Sequence, residues 1–131
     1  MRTVGFFREL EPKRPEVFVD SLVEAVRPEP SDREDDIVNY LENGIPLVDI
    51  MESSRDVISG DRYVSGAPSI LSDGVWVWRQ DLPYYVQRYH LSLDPEFVRH
   101  AARSSFRITE QPLDKLQELA ATVLRDVLDM S

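Results

Sequence analysis

Between Pro68 and Trp78, PSILSDGVWVW, apolar residues run together on either side of a polar Ser72-Asp73-Gly74 break. Asp73-Gly74 divides this stretch into two halves of β type, and Asp-Gly tolerates the positive φ that a two-residue type I′ turn requires. The turn predicts a hairpin in which Ser72 opposes Val75, Leu71 opposes Trp76, Ile70 opposes Val77 and Ser69 opposes Trp78. Side chains alternate along a strand, so Trp76 and Trp78 share one face with Leu71 while Val75 and Val77 share the other with Ile70. Both faces are apolar. Such a strand is either covered on both sides or presents its tryptophans as a docking surface. Trp76 is expected to be the more buried of the two, because Trp78 lies at the open end beside Arg79.

Elsewhere, apolar residues three and four apart predict five helices. The first runs from about Pro15 to Val26, with Phe18, Leu22, Ala25 and Val26 as its stripe, widened by Val19 and Val23. The second opens on a capping box, Ser31 with Glu34, and ends at an αL stop, Asn43-Gly44. The third covers about Leu82 to His90. The fourth is capped by Asp94, has Pro95 in its first turn, and buries Phe97, Val98, Ala101 and Ala102. The last, about Pro112 to Asp129, repeats Leu113, Leu116, Ala120, Val123, Leu124 and Val127, a face for the sheet or a dimer mate. Thr3–Arg8 and Ile45–Ile50 read as strands. Met51 to Ala67 reads as a long loop followed by a short strand. The expectation is an α+β fold: residues 1–131 as a single globular domain, with a small, mostly antiparallel sheet that includes the 68–78 hairpin, packed against about five helices.

The 131 residues carry a net charge of −9. That balance disfavours nucleic acid and anionic lipid as partners and favours a basic protein. With no cysteine in the chain, disulfides, thiolate metal sites and a cysteine nucleophile are excluded. No apolar run of about 18 residues occurs, so no membrane-spanning helix is expected. The segment MRTVGFFRELEPKRPEV lacks the features of a secretory signal, and a cytoplasmic location is the expectation.

Chemistry-bearing patterns are sparse. His90 and His100 are ten residues apart and lack a carboxylate at HExxH spacing, so no metal site is expected. There is no nucleophile elbow, phosphate loop or GxGxxG, and neither a catalytic residue nor a cofactor is expected. Asp32, Glu34, Asp35 and Asp36 fall in the first turns of the second helix, where the macrodipole favours negative charge, and they double as candidate contacts for a basic partner. Asp49, Glu52, Asp56 and Asp61 surround the following loop without the DxDxDG spacing of a calcium site. Trp76, Trp78, Tyr84, Tyr85 and Tyr89 form the most unusual local set. Large aromatics build small cores, and they also anchor protein interfaces. Trp78 and Tyr84 are the candidates for the second role.

Three segments carry a resemblance: YLENG (Tyr40–Gly44), SDGVWVW (Ser72–Trp78) and LPYYVQRYHLSLDPEF (Leu82–Phe97). In this order they resemble a set of small bacterial proteins in which a YLxxG helix end precedes a TDGxWxW hairpin and a YYxxxYxxxLPxEF helix pair. Members of that set are similar to immunity proteins of bacterial toxin systems in size, acidity and architecture. This chain departs from the pattern at Arg79, where proline is frequent, and at Asp94-Pro95, where Leu-Pro is usual. The resemblance implies no catalytic residues. The functional expectation is a non-enzymatic, acidic protein-binding module of immunity or antitoxin type that covers a basic partner. A homo-oligomeric structural or regulatory domain is the alternative, and a homodimer stays open.

Overall fold

Two strands, β5 (Ile70–Ser72) and β6 (Trp76–Arg79), form the centre of the computed structural model, which describes residues 1–129. Around them a four-stranded mixed sheet runs β1 (Arg2–Thr3), β6, β5, β2 (Ile45–Val48). β1 lies parallel to β6, and the two other pairings are antiparallel. A separate two-stranded ribbon, β3 (Ser53–Arg55) with β4 (Tyr63–Ser65), takes up the segment expected to be mostly loop. Five helices complete the α+β fold: α1 (Leu22–Ala25), α2 (Glu34–Glu42), α3 (Leu82–Tyr89), α4 (Pro95–Arg103) and α5 (Leu113–Asp126). No helix among the described residues is long and apolar enough to cross a membrane.

The central strand is covered on both faces. Leu71, Trp76 and Trp78 pack under α2, α3 and α4 with Tyr40, Leu41, Tyr85, Val86 and Phe97. Phe97 is the hub, meeting Tyr40, Trp76 and Trp78 edge-on at centroid distances of 5.9, 5.4 and 5.6 Å. Ile70 and Val77 point the other way, into a smaller cluster with Phe6, Phe18, Val123 and Val127. Trp78 is completely buried and Trp76 is 2% exposed, so the expected order of burial is reversed. The Trp78 indole N–H donates to the Leu41 carbonyl at 3.1 Å, which satisfies its one polar group inside the core. Gly44 makes room for it: a Cβ there would stand 2.6 Å from Trp78 Cζ2. The reason for glycine at the end of α2 is therefore close approach rather than an αL stop, and Asn43 has φ −92°.

The hairpin register differs from expectation. Leu71 pairs with Trp78 and Ser72 with Val77, and the chain turns through Asp73–Val75 before β6 begins. The Asp73 carboxylate takes the Val75 and Trp76 N–H groups at 2.9 and 2.7 Å, and Ser72 Oγ takes the Gly74 N–H. These side-chain caps add to a backbone bond across the turn, from the Asp73 N–H to the Trp76 carbonyl at 3.3 Å. Because the slip is two residues, every side chain keeps its face.

Two helix starts also move. Residues 15–20 do not join the first helix: 15–17 close a separate turn in which the Val17 and Phe18 amides donate to the Arg14 carbonyl, after which Phe18 stacks on Phe6 at 4.9 Å and Asp20 bridges to Phe7. α1 is a single turn whose first amides are taken by Glu9 and Ser21, and Val19 and Val23 face solvent. The Ser31–Glu34 capping box does not form. Arg33 sits at the start of α2 with φ 67°, and the Glu34 carboxylate turns to His90 Nδ1 at 3.0 Å.

Candidate functional site

α3 carries the residues that tie the β3–β4 ribbon to the body of the protein. Tyr84 and Arg88 are four apart and so lie on one side of the helix, with Tyr89 beside them. All three converge on Asp56, which follows β3 and is 1% exposed. Its Oδ2 accepts from the hydroxyls of Tyr84 and Tyr89 at 2.6 and 2.7 Å and from Arg88 Nη1 at 3.0 Å. Its Oδ1 accepts the Ile58 and Ser59 amides at 2.8 and 3.0 Å. Tyr85, on the buried side, accepts the Val57 amide through its hydroxyl at 3.0 Å. Arg88 also reaches Asp61 with both terminal nitrogens, at 3.1 and 3.2 Å.

Burial alone would raise the Asp56 carboxyl, but the two phenols and the two amides outweigh it and hold the group well below the usual carboxylate range. Hydrogen bonds from Arg88 and Ser59 hold Asp61 down at about 2. In turn, burial and then the neighbouring Asp56 push the Tyr84 hydroxyl up, while burial takes Tyr85 to about 12. Five donors occupy the acceptor positions of Asp56, so the arrangement is chemically a clamp.

The clamp sorts the acids proposed from sequence. Asp56, Asp61 and Glu34 are engaged by α3 or its cap, and Asp36 pairs with Arg33 at 2.6 Å. Glu34 and Asp56 are buried as well. Asp32, Asp35, Asp49 and Glu52 are exposed and make no side-chain hydrogen bond or ion pair with the described residues. Of the two aromatic candidates, Trp78 has no surface to offer, and Tyr84 is half-buried with its hydroxyl committed to Asp56. Among the described residues, no three acids or histidines gather as a metal site would require.

The ribbon itself projects Met51, Val57, Ile58 and Tyr63; Met51 is 99% exposed and Tyr63 64%. Arg55 lies over the Tyr63 ring and donates to its hydroxyl.

Sequence reasoning missed two further polar centres. In one, buried Asp73 accepts from the Tyr40 hydroxyl at 2.7 Å and lies 3.3 Å from His100 Nε2. Burial and then Asp73 push the Tyr40 phenol far above its ordinary value. In the other, Arg79 is not at an open strand end but 3% exposed, gripping buried Asp81 through two nitrogens at 3.1 and 3.0 Å. Burial pushes the Asp81 carboxyl up, with Arg79 pulling against it. The clamp had one legible signal: Tyr84 and Arg88 at helical spacing, opposite a loop with isolated aspartates. No family model, curated protein or solved structure matches the chain.

Proposed function

We propose that the protein is a non-enzymatic protein-binding module, of immunity or antitoxin type, that covers a basic surface of its partner. The observation that carries this reading is the ribbon and its flank. Met51 at the ribbon's open end and Val57, Ile58 and Tyr63 towards its tip are each exposed, and Asp49 and Glu52, close to Met51 in the chain, pair with no cation among the described residues. Apolar and aromatic anchors within a charged surround are the composition of a binding hot spot. The −9 net charge speeds encounter with a basic protein and selects it. Asp32 and Asp35 extend the unpaired acidic surface to the start of α2. The immunity or antitoxin assignment draws on the YLENG, SDGVWVW and YYVQRY segments alone.

Charge reversal tests it. The product of the reading frame beside this one is the partner to use, since immunity proteins are encoded next to their toxins. Asp35→Lys with Asp36→Lys, and separately Asp49→Lys with Glu52→Lys, slow association and flatten its salt dependence. An association rate unchanged in both variants rejects the reading.

A second reading, a homo-oligomer, is favoured by α5, whose Leu113 is 69% exposed and whose only fully buried residue is Val123. Sedimentation as a pure monomer at high micromolar concentration removes it.

A further inference from the structure

A cleft of about 460 Å³ lies between the ends of α2 and α3, the start of β2 and ribbon strand β4. Pro46, Val64, Leu71 and Pro83 give it apolar walls, and Tyr84 lines it as well. Among these described lining residues, Glu42 alone is charged. It is the last residue of α2, is exposed, and makes no side-chain hydrogen bond or ion pair with the described residues. We propose that this cleft receives an arginine side chain of the basic partner, an inference that rests on the reading above.

The chemistry of the lining selects that occupant. Apolar walls suit the methylene stem of a long cationic side chain, whose head stays at the polar rim. There the Glu42 carboxylate can accept two parallel N–H bonds from a guanidinium, and the aromatic side chain of Tyr84 lines the same cleft. An ammonium is a compact point charge without the plane or the fork, so lysine fits less well. The larger cleft, about 850 Å³, between α2, residues 106–111 and α5 is lined by both Arg107 and Glu110 and has no such preference. The smaller cleft is also built across the clamp. Val64 belongs to the ribbon, Leu71 and Pro83 belong to the body, and the Tyr84 hydroxyl is bound to Asp56. Holding the ribbon in place therefore holds the cleft open to its guest.

The test is a titration of ¹⁵N-labelled protein with Nα-acetyl-arginine methylamide, followed by amide chemical shifts, with the lysine analogue in parallel. Saturable, millimolar binding is expected, with shifts centred on Val64, Ser65, Tyr84 and Gln87. Glu42→Gln, at an exposed position, weakens the arginine probe about tenfold, the scale of one charge-assisted hydrogen bond. Tyr84→Leu weakens it too. Linear, unsaturating shifts spread over the acidic surface overturn the proposal, as does equal binding of the lysine analogue or indifference to Glu42→Gln. The two readings fail separately. Arginine binding at this cleft, with partner association untouched by the charge reversals, upholds the cleft and rejects the partner reading; the opposite pair of results rejects the cleft alone.

Discussion

Replacing Asp56 by asparagine isolates what holds the ribbon. The shape is kept, and the remaining oxygen still accepts the Ile58 and Ser59 amides. At Oδ2 an amide nitrogen now meets Tyr84, Tyr89 and Arg88. The two hydroxyls can turn to accept from it, but a guanidinium has no lone pair and cannot. The variant loses the charge that faces Arg88 and at least one charge-assisted bond in a buried site, a cost of about 3 kcal/mol. Two short strands and four exposed apolar side chains give the ribbon little burial of its own. The cost should therefore appear as local opening rather than global unfolding. At 1.4 kcal/mol per decade, native-state hydrogen exchange of the 53–65 amides should accelerate on the order of 100-fold. The Val77 and Trp78 amides, in the central strand, should change by no more than a few fold. Unchanged exchange in the ribbon refutes the clamp. Equal acceleration in β6 refutes its independence from the core.

The same groups set a pH dependence. Asp56 and Asp61 both have folded-state values depressed below the unfolded ones, so their contribution is full above about pH 4 and is lost as pH falls through the folded values. Ribbon protection in the unaltered protein should decline from about pH 4 towards pH 2, and less steeply in Asp56→Asn, as exchange measured across that range will show.

Gly44→Ala would place a Cβ 2.6 Å from Trp78 Cζ2 and 2.9 Å from Leu71 Cβ. Thermal melting should report a loss of about 1–3 kcal/mol, typical of overpacking. Asp73→Ala removes the acceptor for the Val75 and Trp76 amides and for the Tyr40 hydroxyl. Urea unfolding should give a loss of about 3 kcal/mol, against about 1 kcal/mol for Tyr40→Phe. Arg79→Met leaves the buried Asp81 carboxylate without its guanidinium, and should cost about 3–5 kcal/mol at neutral pH. That penalty should shrink in acid, where the carboxyl takes up a proton, so denaturation at two pH values checks it.

Where a local pattern decides an outcome, the sequence alone was sufficient. The apolar runs flanking Asp73-Gly74 determined a central strand apolar on both faces, with the tryptophans on one face and Val77 on the other. That assignment survives the two-residue slip in register, since faces repeat every second residue. Asp94-Pro95 likewise determined the start of α4, where the Asp94 side chain accepts the Glu96 amide at 2.9 Å. Tertiary structure decided the outcomes that depend on a partner far along the chain. Glu34 could cap its own helix or meet His90, and the contact 56 positions away prevailed. Residues 15–20 have helical spacing but make only a turn before Phe18 and Asp20 are held against Phe6 and Phe7. Asp56 and Asp49 look alike in a loop, yet one is buried under three side chains of α3 and the other is exposed. Spacing encodes which face a residue occupies. Which carboxylate finds a cation or a phenol depends on what the packed helices bring within 3 Å, and only the folded chain brings them there.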